Sequence, residues 1–192
     1  FIESLTRSGK NLGSIVTTSA QSEQLLKKGG LIATPLLEIS GPLDVYIDGA
    51  DEVDPRLNLI KGGGGALTSE KIVANNAKKF ICIVDESKLV QRLGKFPLPV
   101  EVISSAVPSI SSILKNDYNA RPLEREGYTE HGNRIIDVAG LEIKSPEKLE
   151  GELNQIPGVV TVGLFCKLKP YSCLVGYGME VKEIFKKDVT DK

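Results

Sequence analysis

Between Tyr46 and Glu70 the chain reads YIDGADEVDPRLNLIKGGGGALTSE. Five acids (Asp48, Asp51, Glu52, Asp54, Glu70), one lysine (Lys61) and four consecutive glycines (Gly62, Gly63, Gly64, Gly65) share this stretch. A positioned carboxylate can take a proton and return it. An ammonium group and free backbone N–H groups can hold the negative charge that develops meanwhile. The chain has one histidine, His131 in YTEHGN, read as a solvated loop residue. Acid–base work near neutral pH therefore falls to a carboxylate or lysine with a displaced pKa. No G-x-S-x-G elbow, H-E-x-x-H helix or Cys/His cluster occurs, and KGGGGALTSE lacks the Gly-Lys-Ser/Thr of a P-loop. The residues suit proton transfer on a small polar, anionic ligand. They equally suit a divalent metal held by Asp48, Asp51 and Glu70. Glu52, Asp54 and Glu86 are read as solvated.

The elements that must position these side chains follow from periodicity. LDVYID (43–48) is an apolar run of the kind buried on both faces of a parallel sheet. A loop rich in Asp and Gly runs to about residue 67, and Thr68 is expected to cap a helix over SEKIVANNAKK, with Ile72, Val73 and Ala77 on one face. FICIV (80–84) is the next strand, so strand, helix and strand form a parallel βαβ unit. Ligands gather at the carboxyl ends of such strands. Asp48 ends the first strand, Lys88 follows the second, and Glu70 opens the crossover helix. Asp48, Asp51, Lys61, Glu70 and Lys88 are therefore expected on one rim.

Before this unit, SIVTTS (14–19) reads as a strand. Thr18 and Gln21 read as a capping box for a helix that Gly29 and Gly30 stop. After residue 98 come LPVEVIS, VPSISSILKND, ARPLEREG, NRIIDVAG, SPEKLEGELNQI (Ser145 as N-cap, Pro146 first) and GVVTVGLFCKL. Their order is β-α-β-β-α-β, the ferredoxin-like plan. SCLVGY and VKEIFKK read as a last strand and a short helix returning to the first sheet. The expectation is an α/β chain with a doubly wound, mostly parallel sheet (1–98 plus 170–192) and a smaller ferredoxin-like α+β domain (99–169).

The 192 residues are 41% hydrophobic and carry a net charge of −1, which argues against a nucleic-acid partner or a polybasic membrane surface. No apolar run reaches the ~20 residues that span a bilayer. Cys82, Cys166 and Cys173 each sit in an apolar run and read as buried free thiols of a cytoplasmic protein. Phe1 is not a start residue, so a segment upstream is expected.

At DGADEVDPRLNLIKGGGGALTSEKIVA the sequence resembles the type A ribose-5-phosphate isomerase family. The resemblance continues through VDESKLVQRLGKFPLPVEV, GNRIIDVAGLEI and IPGVVTVGLF. It implies interconversion of D-ribose 5-phosphate and D-ribulose 5-phosphate in the non-oxidative pentose phosphate pathway, with no metal and no organic cofactor. It also implies a homodimer or homotetramer assembled with help from the ferredoxin-like domain. The family's DGAD carboxylates fall on Asp48 and Asp51, its IKGGG lysine on Lys61, its catalytic glutamate on Glu70 and its DxSK lysine on Lys88. In this reading Glu70 moves the proton between C2 and C1 of an enediolate. Lys61 and the N–H groups of Gly62 to Gly65 hold the oxyanion, and Asp48 assists ring opening. Asp51 holds sugar hydroxyls and positions Lys61, and Lys88 meets the phosphate. The family's Gly-Thr-Gly-Ser-Thr phosphate loop would lie upstream of Phe1. Ser69 stands where Arg is frequent, and His131 where Asn is frequent. A sugar-phosphate-sensing domain of the same fold is the alternative, which the proton-transfer set disfavours. Lys61 and Lys88 disfavour a metal-dependent hydrolase.

Overall fold

The computed structural model describes residues 1–10 and 12–185. In chain order they form α1 (Ile2–Arg7), α2 (Ala20–Lys28), β1 (Tyr46–Asp48), β2 (Glu52–Val53), β3 (Leu59–Ile60), α3 (Leu67–Asn75), β4 (Phe80–Asp85) and β5 (Leu98–Val102). Then follow α4 (Val107–Asn116), β6 (Arg121–Glu124), β7 (Arg134–Ala139), α5 (Pro146–Asn154), β8 (Val159–Val162), β9 (Leu164–Phe165), β10 (Ser172–Tyr177) and β11 (Glu180–Phe185).

Three sheets organise the chain. The first has the order β1-β4-β10-β11; β1, β4 and β10 run parallel and β11 is antiparallel. The βαβ crossover through α3 is thus present. The second is a small antiparallel sheet, β2-β3-β9. The third, β6-β7-β5-β8, is fully antiparallel and carries α4 and α5. Numbered within its own β-α-β-β-α-β run, its strand order is 2-3-1-4, the ferredoxin-like arrangement. Val100, Val102, Ile110, Leu114, Ile136, Leu153 and Val162 fill its core. A separate core of Tyr46, Leu59, Val73, Phe80, Cys82, Phe165 and Val175 lies under the parallel sheet. The three cysteines are free and buried.

Several local expectations change. Ser14 to Ser19 form no strand: Ile15 O accepts one bond from Thr34 N, at 2.7 Å, and a single bond is not a ladder. Ser19, not Thr18, caps α2 by accepting from Ser22 N, at 3.2 Å, and the helix ends at Gly29. The stretch read as one loop contains the β2–β3 hairpin, because β9, distant in sequence, supplies its third strand. In the hairpin turn Leu57 takes a φ of 56°, held there by its buried side chain. α3 starts at Leu67 after Ala66, so Thr68 lies inside it. Leu67, Val73 and Ala74 are buried while Ile72 is exposed. β1 and β4 bury Tyr46, Phe80 and Cys82 on one face, whereas Ile47, Ile81 and Ile83 on the other are only half-buried. An apolar run reports which groups avoid water, not how fully neighbours cover them. GVVTVGLFCKL breaks at Gly163, where any Cβ would strike Lys61 O, so the chain steps there from the third sheet to the second. Residues 181–185 of the expected last helix are strand: Val181, Ile184 and Phe185 favour extended backbone, and the full ladder to β10 outweighs the helix propensity of the lysines and glutamates. Lys186 and Lys187 lie outside the described residues.

Candidate active site

Asp48 is the last residue of β1, at the carboxyl edge of the parallel sheet, with Cys82 of β4 beside it in register. Lys61 leaves β3 and is fixed by its own N–H, which donates to Gly163 O at 2.8 Å. Glu70 lies in the first turn of α3. A strand end, a hairpin exit and a helix start thus aim three side chains at one point. Their exposed fractions are 29% for Asp48, 3% for Lys61 and 13% for Glu70.

Lys61 Nζ is the centre. It donates to Asp48 Oδ2 at 3.0 Å and to Gly49 O at 2.5 Å, and it lies 3.4 Å from Glu70 Oε2. Asp48 is held on both oxygens. Gly49 N–H donates to Oδ1 at 2.8 Å, while the Tyr46 hydroxyl donates to Oδ2. Tyr46 and Asp48 are two apart on a strand and so share a face. Glu70 differs: its Oε2 is buried and accepts no hydrogen bond among the described residues. Burial pushes the Glu70 carboxyl above its ordinary value; the Lys61 charge opposes this, and Asp48 and Asp51 add to it. For Lys61, burial works against the charge, but the Glu70 and Asp48 carboxylates outweigh it and the pKa is raised. Burial also raises the Tyr46 phenol, assisted by Asp48 and Glu70, so it stays protonated. The arrangement is a carboxylate with raised basicity beside a permanent ammonium, suited to proton abstraction next to a group that gains negative charge.

The other expected site residues divide. Asp51 reaches the glycine loop rather than Lys61: its Oδ2 accepts from Gly63 N at 2.8 Å, and Lys61 is already ion-paired elsewhere. Within the loop Gly65 N–H donates to Gly62 O at 3.0 Å, so the Gly63 and Gly65 N–H groups are occupied. The Gly62 and Gly64 N–H groups have no acceptor among the described residues. Gly62 needs its φ of 102°, and a Cβ on Gly63 would collide with the Asp51 carboxylate. Lys88 sits half-buried in the turn after β4, at the same sheet edge, and makes no ion pair or hydrogen bond with Asp48, Lys61 or Glu70. A cavity of about 390 Å³ opens beside the loop, lined by Ser19, Gly63 to Ala66, Arg125 and Tyr128. The Lys61 ammonium occupies the place between Asp48 and Glu70 that a bound cation would take. Among the described residues no three His, Cys, Asp or Glu side chains are grouped to hold a metal.

Glu52 and Asp54 are not solvated. Glu52 is buried and accepts from Gly94 N (2.7 Å) and Phe96 N (2.6 Å). Asp54 accepts from Arg56 N and Asn58 N, both at 2.8 Å, and so closes the hairpin turn. Each carboxylate satisfies backbone donors that would otherwise be buried unpaired. His131 keeps a half-exposed ring but meets Ser69 Oγ at 2.9 Å, and Ser69 also bonds Glu130, so the two departures from the family pattern face each other. Sequence reading missed Tyr46, whose two-residue spacing from Asp48 was the available signal. It also missed Glu101, which accepts from Thr68 Oγ1 of α3 at 2.5 Å, and Arg125, which donates to Gly62 O and Gly63 O; no local spacing reveals either contact.

Comparison with known proteins identifies the family. Residues 14–179 match the profile of the family described as ribose 5-phosphate isomerase A (phosphoriboisomerase A). The chain is 49% identical over 177 residues to the ribose-5-phosphate isomerase A of Stenotrophomonas maltophilia (strain R551-3), covering 92% of this chain and 82% of that one. Its fold superposes on the crystal structure of ribose 5-phosphate isomerase A from Neisseria gonorrhoeae with a TM-score of 0.92 at 47% identity, over 97% of this chain and 83% of that one. A D-ribose-5-phosphate isomerase solved in complex with phospho-erythronic acid gives 0.90 at 40% identity, over 96% and 85%. The chain belongs to the ribose-5-phosphate isomerase A family.

Proposed function

We propose that the protein interconverts D-ribose 5-phosphate and D-ribulose 5-phosphate, the reaction of its family and a step of the pentose phosphate pathway, with Glu70 carrying the proton between C2 and C1. The observation that carries this assignment is the buried Glu70 Oε2, 3.4 Å from Lys61 Nζ and with no close hydrogen-bond donor among the described residues. Glu70 removes the C2 proton from the open-chain aldose and the electrons move into an enediolate; the O2 hydroxyl proton passes to O1, and the same carboxyl returns its proton to C1. Lys61, with the Gly62 and Gly64 N–H groups, stabilises the oxygen that becomes negative, an interaction strongest in the transition state. Asp48 moves a proton at the anomeric oxygen to open the ring. Asp51 meets sugar hydroxyls, and Lys88 meets the phosphate as a point charge. A relative is solved in complex with phospho-erythronic acid, an anionic phosphate ligand, which supports a sugar-phosphate substrate here. A sensing domain would need no proton-transfer set, so Asp48, Lys61 and Glu70 together disfavour that alternative.

The proposed division is 1–98 plus 170–192 against 99–169. It is supported by the β5-to-β8 run of the antiparallel sheet, while Leu164 and Phe165 of β9 pair with β3 across the division. Exposed Leu123 on β6 and Val160 on β8 support homodimer or homotetramer contacts through that sheet. Three buried, unpaired thiols fit a cytoplasmic location, and no described helix is long and apolar enough to cross a membrane. The decisive assay incubates the protein with ribose 5-phosphate and EDTA and follows ketose formation. Turnover that EDTA leaves unchanged is expected. Absence of turnover overturns the reading, and turnover lost only with EDTA transfers the chemistry to a metal.

A further inference from the structure

The third sheet does more than pack beside the catalytic one. Arg125, just beyond β6, forms a two-pronged ion pair with Asp137 of β7: Nε donates to Oδ2 at 2.8 Å and Nη2 to Oδ1 at 2.6 Å. That pair fixes the guanidinium plane. Its remaining Nη1 donates to Gly62 O at 3.0 Å and to Gly63 O at 3.2 Å. A trans peptide is planar, with its C=O and N–H pointing in opposite directions. Pulling the Gly62 carbonyl toward Arg125 therefore turns the Gly63 N–H away from it, and that N–H meets Asp51 Oδ2 at 2.8 Å. By the same geometry, holding the Gly63 carbonyl turns the Gly64 N–H away from Arg125, where it has no acceptor among the described residues. A continuous chain thus runs Asp137, Arg125, the Gly62–Gly63 peptide, Asp51, with charges alternating along it. Gly62 and Gly65 both sit at positive φ, where glycine is least constrained by its own sterics, so the loop needs an external hold.

We propose that Arg125, oriented by Asp137, is a positioning residue for the isomerisation: it fixes the peptide planes of the glycine loop so that Asp51 is anchored and the Gly64 N–H is presented to the substrate oxygen. This rests on the isomerase reading above. A rotated peptide plane displaces a donor by an ångström or more, and such misplacement costs up to about 100-fold in rate.

The test uses the full chain and steady-state kinetics with ribose 5-phosphate, alongside thermal melting, for Arg125→Ala, Arg125→Lys and Asp137→Asn. Arg125→Ala is expected to lower kcat about 10- to 100-fold with KM changed less than about threefold. Guanidinium ion at about 10 mM should restore part of that rate, and Arg125→Lys, which keeps one donor, should fall between the two. Measured in an Asp51→Asn background, the Arg125→Ala loss should shrink, because the two residues act through one peptide. A kcat within about twofold of the wild type, equal losses in both backgrounds, or no rescue by guanidinium overturns the proposal. If Arg125→Ala fails to fold, Arg125→Lys and Asp137→Asn carry the test. Lowered melting temperature with unchanged kcat in those two variants also overturns it. An inactive wild type overturns the isomerase reading and this proposal together; an active wild type with unaffected variants overturns this proposal alone.

Discussion

Two lysines, Lys61 buried and Lys71 largely so, flank the Phe165 ring at 5.6 Å and 4.7 Å from its centroid, and their surroundings could hardly differ more. Lys71 Nζ gives all three of its protons away: to Glu150 Oε1 (2.9 Å), Val162 O (2.8 Å) and Leu164 O (2.7 Å). Its partner is equally occupied, since Glu150 Oε2 accepts from Cys166 N (3.0 Å) and Lys167 N (2.9 Å). Lys61 has two hydrogen bonds and a third, looser partner in Glu70, whose Oε2 is left unbonded. Glu70 and Lys71 are neighbours in sequence, yet about 100° of helix rotation sends one to the rim and the other to the third sheet. Burial and ion pairing occur on both sides of the ring. Higher proton affinity is expected where the carboxylate accepts fewer hydrogen bonds, because each bond it accepts stabilises its charged form.

The largest expected effect tests that contrast directly. Glu70→Gln should reduce kcat by about 100- to 10,000-fold, the range for a lost general base, while KM stays within about tenfold. A near-wild-type kcat would place the base elsewhere. Next in size, Lys71→Met should leave Glu150 as an uncompensated buried charge and destabilise the fold by about 3–5 kcal/mol. The double change with Glu150→Leu should recover much of this in denaturant unfolding, because removing both charges removes the desolvation cost. A Lys71→Met protein of normal stability but no turnover would erase the distinction between a structural and a chemical lysine.

The smallest effect is a difference of sign. The pKa of Lys61 is raised above the ordinary 10.5, since Glu70 and Asp48 outweigh burial. Its ion pairs therefore contribute stability that is complete below 10.5 and fades as pH climbs through the higher folded value. The pKa of Lys71 is lowered, burial outweighing Glu150. Its contribution is complete above 10.5 and diminishes as pH falls through the lower folded value. As pH rises, the stability gap between wild type and Lys71→Met should widen below 10.5, while the gap to Lys61→Met should narrow above 10.5. Parallel changes in the two gaps would show that the environments are alike.

How much of this was readable without coordinates depends on range. β1, α3 and β4 carry their own periodicity, and the β5–α4–β6–β7–α5–β8 run was legible for the same reason. β2, β3 and β9 are two residues each and exist only as a ladder, Leu59 opposite Phe165 and Ile60 opposite Leu164. No window of sequence contains both sides of that pairing. Glu52 looked like a solvent-facing acid because its partners, the N–H groups of Gly94 and Phe96, carry no side-chain signature and lie 42 and 44 residues away; Asp54 is held inside its own turn by Arg56 N and by the backbone and side-chain amides of Asn58. Asp51 was expected to hold sugar hydroxyls and position Lys61; its Oδ2 accepts from Gly63 N, a contact between the β1–β2 turn and the loop after β3 that no local spacing shows.

The order of residues by itself determined which functional groups exist, their spacing along β1, the hairpin and α3, and membership of the isomerase family. Only the tertiary structure decided that Lys61 stands between Asp48 and Glu70, that one Glu70 oxygen is left unbonded, and that Arg125 reaches across from another sheet to the glycine loop. The physical reason is that sequence periodicity encodes local geometry. Proton affinity instead depends on burial and on charges brought within a few ångströms by sheet register and close approaches such as Gly163 against Lys61.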